Sequence, residues 1–364
     1  MKITYEGFYG FKNAGDDAFV EISSWGAQKF WSCKNNVFIG AQLPKTVHAI
    51  KAKSSKGKGL DRVSFFQELQ NSDYMISAGG STFSKLPFHS NKALARIISK
   101  YNNKLKLGAM GVSVGPFKSI KEEKQVQKYL KQLAFISLRD QRSYDYVSSL
   151  DLTANVVNSF DLAALMPMMY NYTPIDKSVK TTAKTIGISI CNHEQYTGGD
   201  LLKQTKRNSY FKQLIDLLIK QTNYTLKVFI INGNESFGDT DPTNELLAAV
   251  DPKRYSIYPY TPNIKSTWDE ISRCDFMIST RLHASIFACY ANVPFVLIEY
   301  HRKCSDFLDD VGQHKALRVM DGEISPSETL QEVVSHLETP YIAPKRLAET
   351  IDRSLLNFTQ TLEK

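Results

Sequence analysis

An arginine and a histidine stand two residues apart in STRLHA, as Arg281 and His283, directly after the apolar run DFMIS. A guanidinium is a permanent, planar fork of donors that matches phosphate or carboxylate, and an imidazole changes its protonation near neutral pH. The pair could therefore hold an anion and pass it a proton. Position strengthens this reading, because a helix expected over 282–291 starts here, and unpaired amides at a helix start attract anions. The plainer alternative is a buried arginine paired with a carboxylate across a cleft, with the histidine as a cap. After the next apolar run, VPFVLIEY, come Tyr300, His301, Arg302 and Lys303, which would bring further cations to the same rim.

A second chemical stretch lies near the start, in GFYGFKNAGDDAFVE. Here Asn13, Ala14 and Gly15 form a turn before Asp16 and Asp17. From Asp16 onward, Ala18, Phe19, Ile22, Trp25 and Gly26 recur at steps of three and four, so a helix over 16–30 is expected. An aspartate at its start would cap orphan amides for about 1 kcal/mol. That accounts for one aspartate, with Asp16 the candidate, and leaves Asp17 over. Gly79 and Gly80 in AGGSTFS follow another apolar run and permit a close backbone approach, with Ser81 next to them. Arg139 and Asp140 in SLRDQRS read as an interlobe ion pair and a cap, and Asp161 in NSFDLA as another cap.

These residues follow apolar runs, so strands must position them. Short β-rich runs alternate with helical patterns, as expected of parallel sheets built from strand-helix-strand units. Strands are expected at KITYEGF, NVFIGAQL, TVHAIKA, DYMISAG, LKLGAMGVSVG, AFISLRD and ANVVN. The helices between them include 16–30, 90–102, 121–133 and 141–149. The Pro-containing, aperiodic stretch around 167–184 reads as a linker. A second set follows: TIGISI, a helix over 206–221, LKVFIING, a helix over 241–250, RYSIYP, a helix over 263–273, DFMIS, a helix over 282–291, and VPFVLIEY. The acidic loop SFGDTDPTNE (236–245) reads as a lid or a plain connection. The expected architecture is α/β: two Rossmann-like doubly wound domains, 1–166 and 185–340, with a terminal helix in 341–364 and ligands in an interdomain cleft.

At 364 residues two domains are the natural division, and 42% hydrophobic with 23% charged residues excludes disordered and collagen-like classes. No apolar run reaches the ~20 residues of a membrane span, and MKITYEGFYG lacks the pattern of a signal peptide, so a cytoplasmic location is expected. Five cysteines without a CxxC pair suggest neither a disulfide framework nor zinc, and Cys274 and Cys289 read as buried packing residues. Asn-x-Ser/Thr matches at Asn171, Asn223, Asn234 and Asn357 carry little without secretion. The net charge of +8 favours anionic ligands in general. The run KAKSSKGKG (51–59) reads as a solvated loop, with an anionic glycan or membrane surface as the minority reading. No nucleic-acid motif accompanies it. No histidine-carboxylate cluster has metal-ligand spacing, so no metal and no cofactor are expected.

NAGDD after a first strand, SAGGS, GVSVGP, SLRDQRS, NSFDLA, STRLHA and VPFVLIEYHRKCSDF occur in an order that resembles the polysaccharide pyruvyl transferase family, from about Gly7 to about Gly312. The resemblance implies a GT-B-like pair of Rossmann-type domains. It also implies phosphoenolpyruvate as co-substrate, and a pyruvate ketal on a sugar of a cell-surface polysaccharide or its lipid-linked precursor. Arg281, Leu282 and His283 match the family's RLH, associated with donor binding, and Lys303 matches its later lysine. One departure stands out: many members carry an arginine after the strand equivalent to TIGISI, where this chain has Cys191, Asn192 and His193. His193, Arg302 or Lys303 would have to supply that charge.

On this reading the second domain takes the donor and the first the acceptor. His283 is the expected proton donor. Asp16 and Asp17 would orient or deprotonate an acceptor hydroxyl, since carboxylates repel phosphate, and Asn13, Gly15, Gly79, Gly80 and Ser81 would line the acceptor. One aspartate caps and the other, Asp17, works. Two rivals remain at this stage: an inverting GT-B-type glycosyltransferase using a nucleotide sugar, and a non-catalytic paralogue in glycan assembly. Glu299 is followed eight positions later by Phe307, which disfavours the retaining class. Peripheral contact with the inner face of the membrane stays open, and the sequence does not set the acceptor sugar or the oligomeric state.

Overall fold

The computed structural model describes residues 1–40, 42–45, 51–53, 60–175, 184–321 and 325–362. Most of the basic run 51–59 and of TVHAIKA therefore lies outside the described residues, as do residues 176–183 of the expected linker. The chain divides into two compact units, one of Met1–Lys12, Asp16–Met169 and Ala348–Lys364, the other of Asn13–Gly15 and Tyr170–Leu347.

The first unit holds a sheet of β1 (Lys2–Glu6), β2 (Asn35–Ile39), β3 (Lys51–Lys53), β4 (Tyr74–Phe83), β5 (Lys106–Val114), β6 (Leu133–Leu138) and β7 (Asn155–Asn158). Their order is β3-β2-β1-β4-β5-β6-β7, and all pairs are parallel. The second unit holds β8 (Thr185–Ser189), β9 (Thr225–Phe229), β10 (Tyr255–Tyr258), β11 (Phe276–Ser279), β12 (Phe295–Glu299) and β13 (Arg318–Met320) in the order β10-β9-β8-β11-β12-β13, again parallel. Both are doubly wound. The apolar runs form strands because parallel strands are covered on both faces: every residue of β11 and β12 is buried.

In each sheet the winding reverses between two neighbours, β1 and β4 in the first and β8 and β11 in the second. The crevice outside the carboxyl ends of such a pair is where open α/β sheets bind ligands. The stretches NAGDD and AGGS follow or end β1 and β4, while CNH and TRLH follow β8 and β11.

The terminal helix expected in 341–364 is Leu347–Thr359. Its side of the first unit is built for it. Gly26 has no side chain where Phe358 lies, since a Cβ there would come within 2.2 Å of the ring. Trp31 Nε1 donates to Phe358 O at 2.7 Å. Asn357, fully buried, accepts from Ser137 and Ser159 hydroxyls at 2.6 and 3.0 Å and donates to Phe160 O and Ser354 O at 2.9 and 2.8 Å. The Asn-x-Ser/Thr match at 357 is thus a core polar hub.

Two details differ from the sequence reading. The helix expected from 206 begins at Leu201, because Asp200 accepts from the Leu202 and Lys203 amides. Gly79 and Gly80 lie inside β4 and not after it, both at positive φ, and the pairing of β4 with β5 shifts register between Gly80 and Phe83. A Cβ at Gly79 would meet Phe19 at 2.2 Å.

Candidate functional site

In the second unit, Thr280 and Arg281 end β11 and lead into the helix Leu282–Tyr290, with Arg281 at its N-cap position. The Arg281 side chain turns to the loop after β9, where its Nε donates to both carboxylate oxygens of Asp239 at 2.9 and 3.0 Å and Nη2 also pairs with that carboxylate. Asp239 is fully buried and takes a further hydrogen bond from the Asn232 amide at 2.8 Å. Burial raises the Asp239 carboxyl above its usual value, and the guanidinium opposes that rise. The arginine keeps 14% of its side chain exposed, with the Tyr196 ring 5.9 Å from its carbon.

Around the ends of β8 and β12 a ring cluster forms. The rings of Tyr300, His301 and Tyr196 lie 5.1, 5.6 and 5.9 Å from that of His193. The His193 imidazole is pushed down to about 4, first by burial and then by the positive charges of Lys303 and His301, with Arg281 adding to them. Burial is the larger cause, and Lys303 adds positive charge beside the ring. Tyr300 is fixed from below. Arg207, whose side chain is 1% exposed, stacks on its ring at 4.8 Å while bonding Glu194 at 2.7 and 2.9 Å and Asp321 at 2.9 and 3.2 Å. Cys191 ties the neighbouring strand ends together, its amide donating to Thr280 Oγ1 at 2.8 Å and its thiol to the Tyr300 hydroxyl at 3.9 Å.

The tripeptide Asn13–Gly15 belongs to this unit. Asn13 bridges Asn232, and the Ala14 amide donates to Ile231 O at 2.9 Å. A Cβ on Gly15 would come within 2.0 Å of His283 Nδ1, so only glycine lets that ring lie where it does. Asn13 also caps the helix Ala14–Trp31, its Oδ1 accepting from the Gly15 amide at 3.1 Å. The early motif and the RLH motif, far apart in sequence, thus meet through Gly15 and His283.

In the first unit, Arg139 is the organiser. It donates from Nε to Ser113 Oγ at 2.8 Å, from Nη1 to Asp161 at 2.7 Å and from Nη2 to Ser81 Oγ at 3.1 Å. Asp161 caps the short turn Leu162–Leu165 as well, and Asp140 caps the helix Gln141–Ser148. Gly80 is partly open, and a Cβ there would lie 3.9 Å from Asp16 Oδ1. At the end of β1, Glu6 pairs with Lys92, a lysine buried at the start of the helix Asn91–Tyr101.

The family model for polysaccharide pyruvyl transferase matches residues 10–302. The chain belongs to the polysaccharide pyruvyl transferase family. No curated protein matches it. Among solved structures it is similar in fold to a putative UDP-N-acetylglucosamine 2-epimerase from Listeria monocytogenes, with a TM-score of 0.60 at 9% identity over 99% of this chain and 95% of that one. MnaA of S. aureus in a co-structure with UDP gives 0.59 at 11% identity, over 99% and 94%. The UDP-GlcNAc 2-epimerase of Methanocaldococcus jannaschii with UDP-GlcNAc and UDP gives 0.57 at 10%, over 99% and 100%. At such identities these likenesses speak to the two-domain, GT-B-like fold.

Within this family member, several expected placements change. Asp16 is not the helix cap, since Asn13 holds that place and both aspartates lie in the first turn. Asp17 is fully buried while Asp16 is partly exposed, so Asp16 is the one placed to meet a solute. Arg139 makes no interlobe pair, because Asp161 lies in the same unit. Arg281 offers less of its fork than the motif suggests, as Asp239 takes Nε and Nη2. Leu282 is buried and serves packing. The stretch 236–245 is no loose lid over its first half: Asn232, Asn234, Phe237 and Asp239 are knitted by hydrogen bonds from backbone amides and the Asn232 side chain. Of Cys191, Asn192 and His193, the first two are buried and His193 is half-buried among the rings of Tyr196, Tyr300 and His301. Asp239, Arg207 and Tyr196 were invisible as site residues in sequence, because their partners lie 42, 114 and 85 positions away. All five cysteines are free and buried. Among the described residues, no group of three or more His, Cys, Asp and Glu could hold a metal, and no helix is long and apolar enough to cross a membrane.

Proposed function

We propose that this family member is a ketal-forming pyruvyltransferase that uses phosphoenolpyruvate as donor and two hydroxyls of a glycan sugar as acceptor. The observation that supports this reading is the cluster at the ends of β8, β11 and β12, where the His193 ring lies 5.1 Å from Tyr300 and 5.6 Å from His301, and Lys303 Nζ lies 5.8 Å from the Tyr300 ring. A donor with a carboxylate and a phosphate needs such a place.

The reaction adds a proton to the methylene carbon of the enol, adds the two acceptor oxygens to the adjacent carbon and expels phosphate. Of the two hydroxyl protons, one balances that carried onto the methyl carbon and the other leaves with phosphate. His283, fixed against Gly15, is assigned the proton to carbon. Lys303, His301, Arg302 and His193 hold the donor and steady departing phosphate, while Arg281, oriented by Asp239, adds charge from the side. Asp16, partly exposed next to Gly80, orients an acceptor hydroxyl.

Equilibrium binding tests the donor assignment. Phosphoenolpyruvate should raise the melting temperature of the native chain, and Lys303→Gln or His193→Asn should reduce that shift. A ligand at about 100 times its Kd stabilises by about 2.7 kcal/mol. No shift with phosphoenolpyruvate, combined with a shift from UDP-sugars, would replace this reading with the nucleotide-sugar one.

A further inference from the structure

Between residues 45 and 104 the sequence holds eleven Lys and Arg against three Asp and Glu, an excess of eight that equals the net charge of the whole chain. The rest of the chain is balanced. Two helices of that stretch, Leu60–Gln70 and Asn91–Tyr101, pack against each other on one face of the first sheet. Asn102 Nδ2 donates to Gln70 O at 3.3 Å, which ties their carboxyl ends together. Phe65 and Leu69 of the first helix and Ala95 and Ile98 of the second enter the core, so the other faces turn outward.

Those outward faces are not polar. Val63 is 53% exposed, Phe66 42%, Ile97 45% and Tyr101 86%. Exposed Arg62 and Lys100 flank them. Phe66 and Ile97 sit four and five residues before the joined ends Gln70 and Asn102, at one level on the helix pair. Aliphatic and aromatic side chains set among cations are the composition of a surface that lies in a lipid interface.

We infer that this face of the first unit docks onto an anionic lipid bilayer. An anionic polysaccharide would satisfy the cations but would leave the aliphatic Val63 and Ile97 without an apolar partner. A second copy packed here would bring Arg62 and Lys100 near their own counterparts, which like-charge repulsion opposes. The inference rests on this face alone and does not depend on the donor chemistry.

Sedimentation with vesicles tests it, using the full chain and no activity readout. Binding to vesicles of about 30% phosphatidylglycerol should exceed that to pure phosphatidylcholine at least tenfold, each cation near the surface giving about fivefold. Raising salt from about 0.1 to about 0.5 M should weaken it, as the screening length shrinks. Phe66→Ser with Tyr101→Ser, and separately Arg62→Gln with Lys100→Gln, should each lower binding several-fold while circular-dichroism melting stays near that of the parent. Should the aromatic variant unfold, the charge variant carries the test. Equal binding to both vesicle types, or unchanged binding by the folded variants, would overturn the inference. Capture by dextran sulfate without vesicle binding would overturn it in favour of a glycan. A dimer in ultracentrifugation that the aromatic variant abolishes, again without vesicle binding, would overturn it in favour of self-association.

Discussion

Asp239 holds Arg281 by two nitrogens and has no water-exposed surface of its own. Removing one partner of such a pair leaves the other charge buried and unanswered, which costs more than the pair is worth. Asp239→Ala should therefore lower unfolding stability in urea by about 3 kcal/mol. A loss near zero would mean that the pair is slack. His193 gives a test by pH. Its folded value of about 4 lies below the ordinary 6.5, so the unfolded chain binds the extra proton between them. The stability this adds is complete above about 6.5 and is lost as pH falls toward 4. In an NMR titration the His193 ring should have a midpoint near 4, moving upward when inorganic phosphate is added, because an anion offsets Lys303 and His301. A midpoint that ignores phosphate would remove the anion from this cluster.

Elements place these residues. Asn13, Ala14 and Gly15 are part of the second unit, and the Gly15 backbone fits against the His283 ring there. Gly15→Ala should displace that ring and lower the transfer rate about a hundredfold, with a small change in melting temperature, since misplacement by about 1 Å costs that much in an oriented reaction. Full activity in this variant would detach His283 from proton transfer. Elsewhere, Asn357→Ala would leave several buried partners unsatisfied and should destabilise the protein by about 3 kcal/mol in chemical denaturation. The strands were legible because buried parallel strands are continuous apolar runs. The start of the helix Leu201–Gln221 was harder to see, because its first two leucines are exposed and break the apolar period. The helix Pro326–Glu338 announces itself only by its cap, Ser325 with Glu328 and a proline at the first turn, a signal local enough to have been found. The partnership of Asp239 with Arg281 had no local signal, since any of the acidic residues in that loop could have filled the role.

For the whole molecule, two sheets of the same winding bring four motif stretches to the carboxyl ends of β1, β4, β8 and β11, and the ordered motifs already implied that plan. What sequence could not give was the set of contacts made around those ends: which aspartate is buried, which arginine is paired, and which histidine feels the cations. Those depend on packing between segments far apart in the chain. The central claim concerns the reaction itself, and one measurement addresses it most directly. The purified chain is incubated with phosphoenolpyruvate and a panel of glycan acceptors, and both phosphate and the acceptor's mass are followed. Phosphate should appear only with a suitable acceptor, in equal amount to an acceptor that has gained pyruvate less one water. Phosphate without product, or an acceptor that instead gains a sugar from a nucleotide-sugar donor, would contradict it.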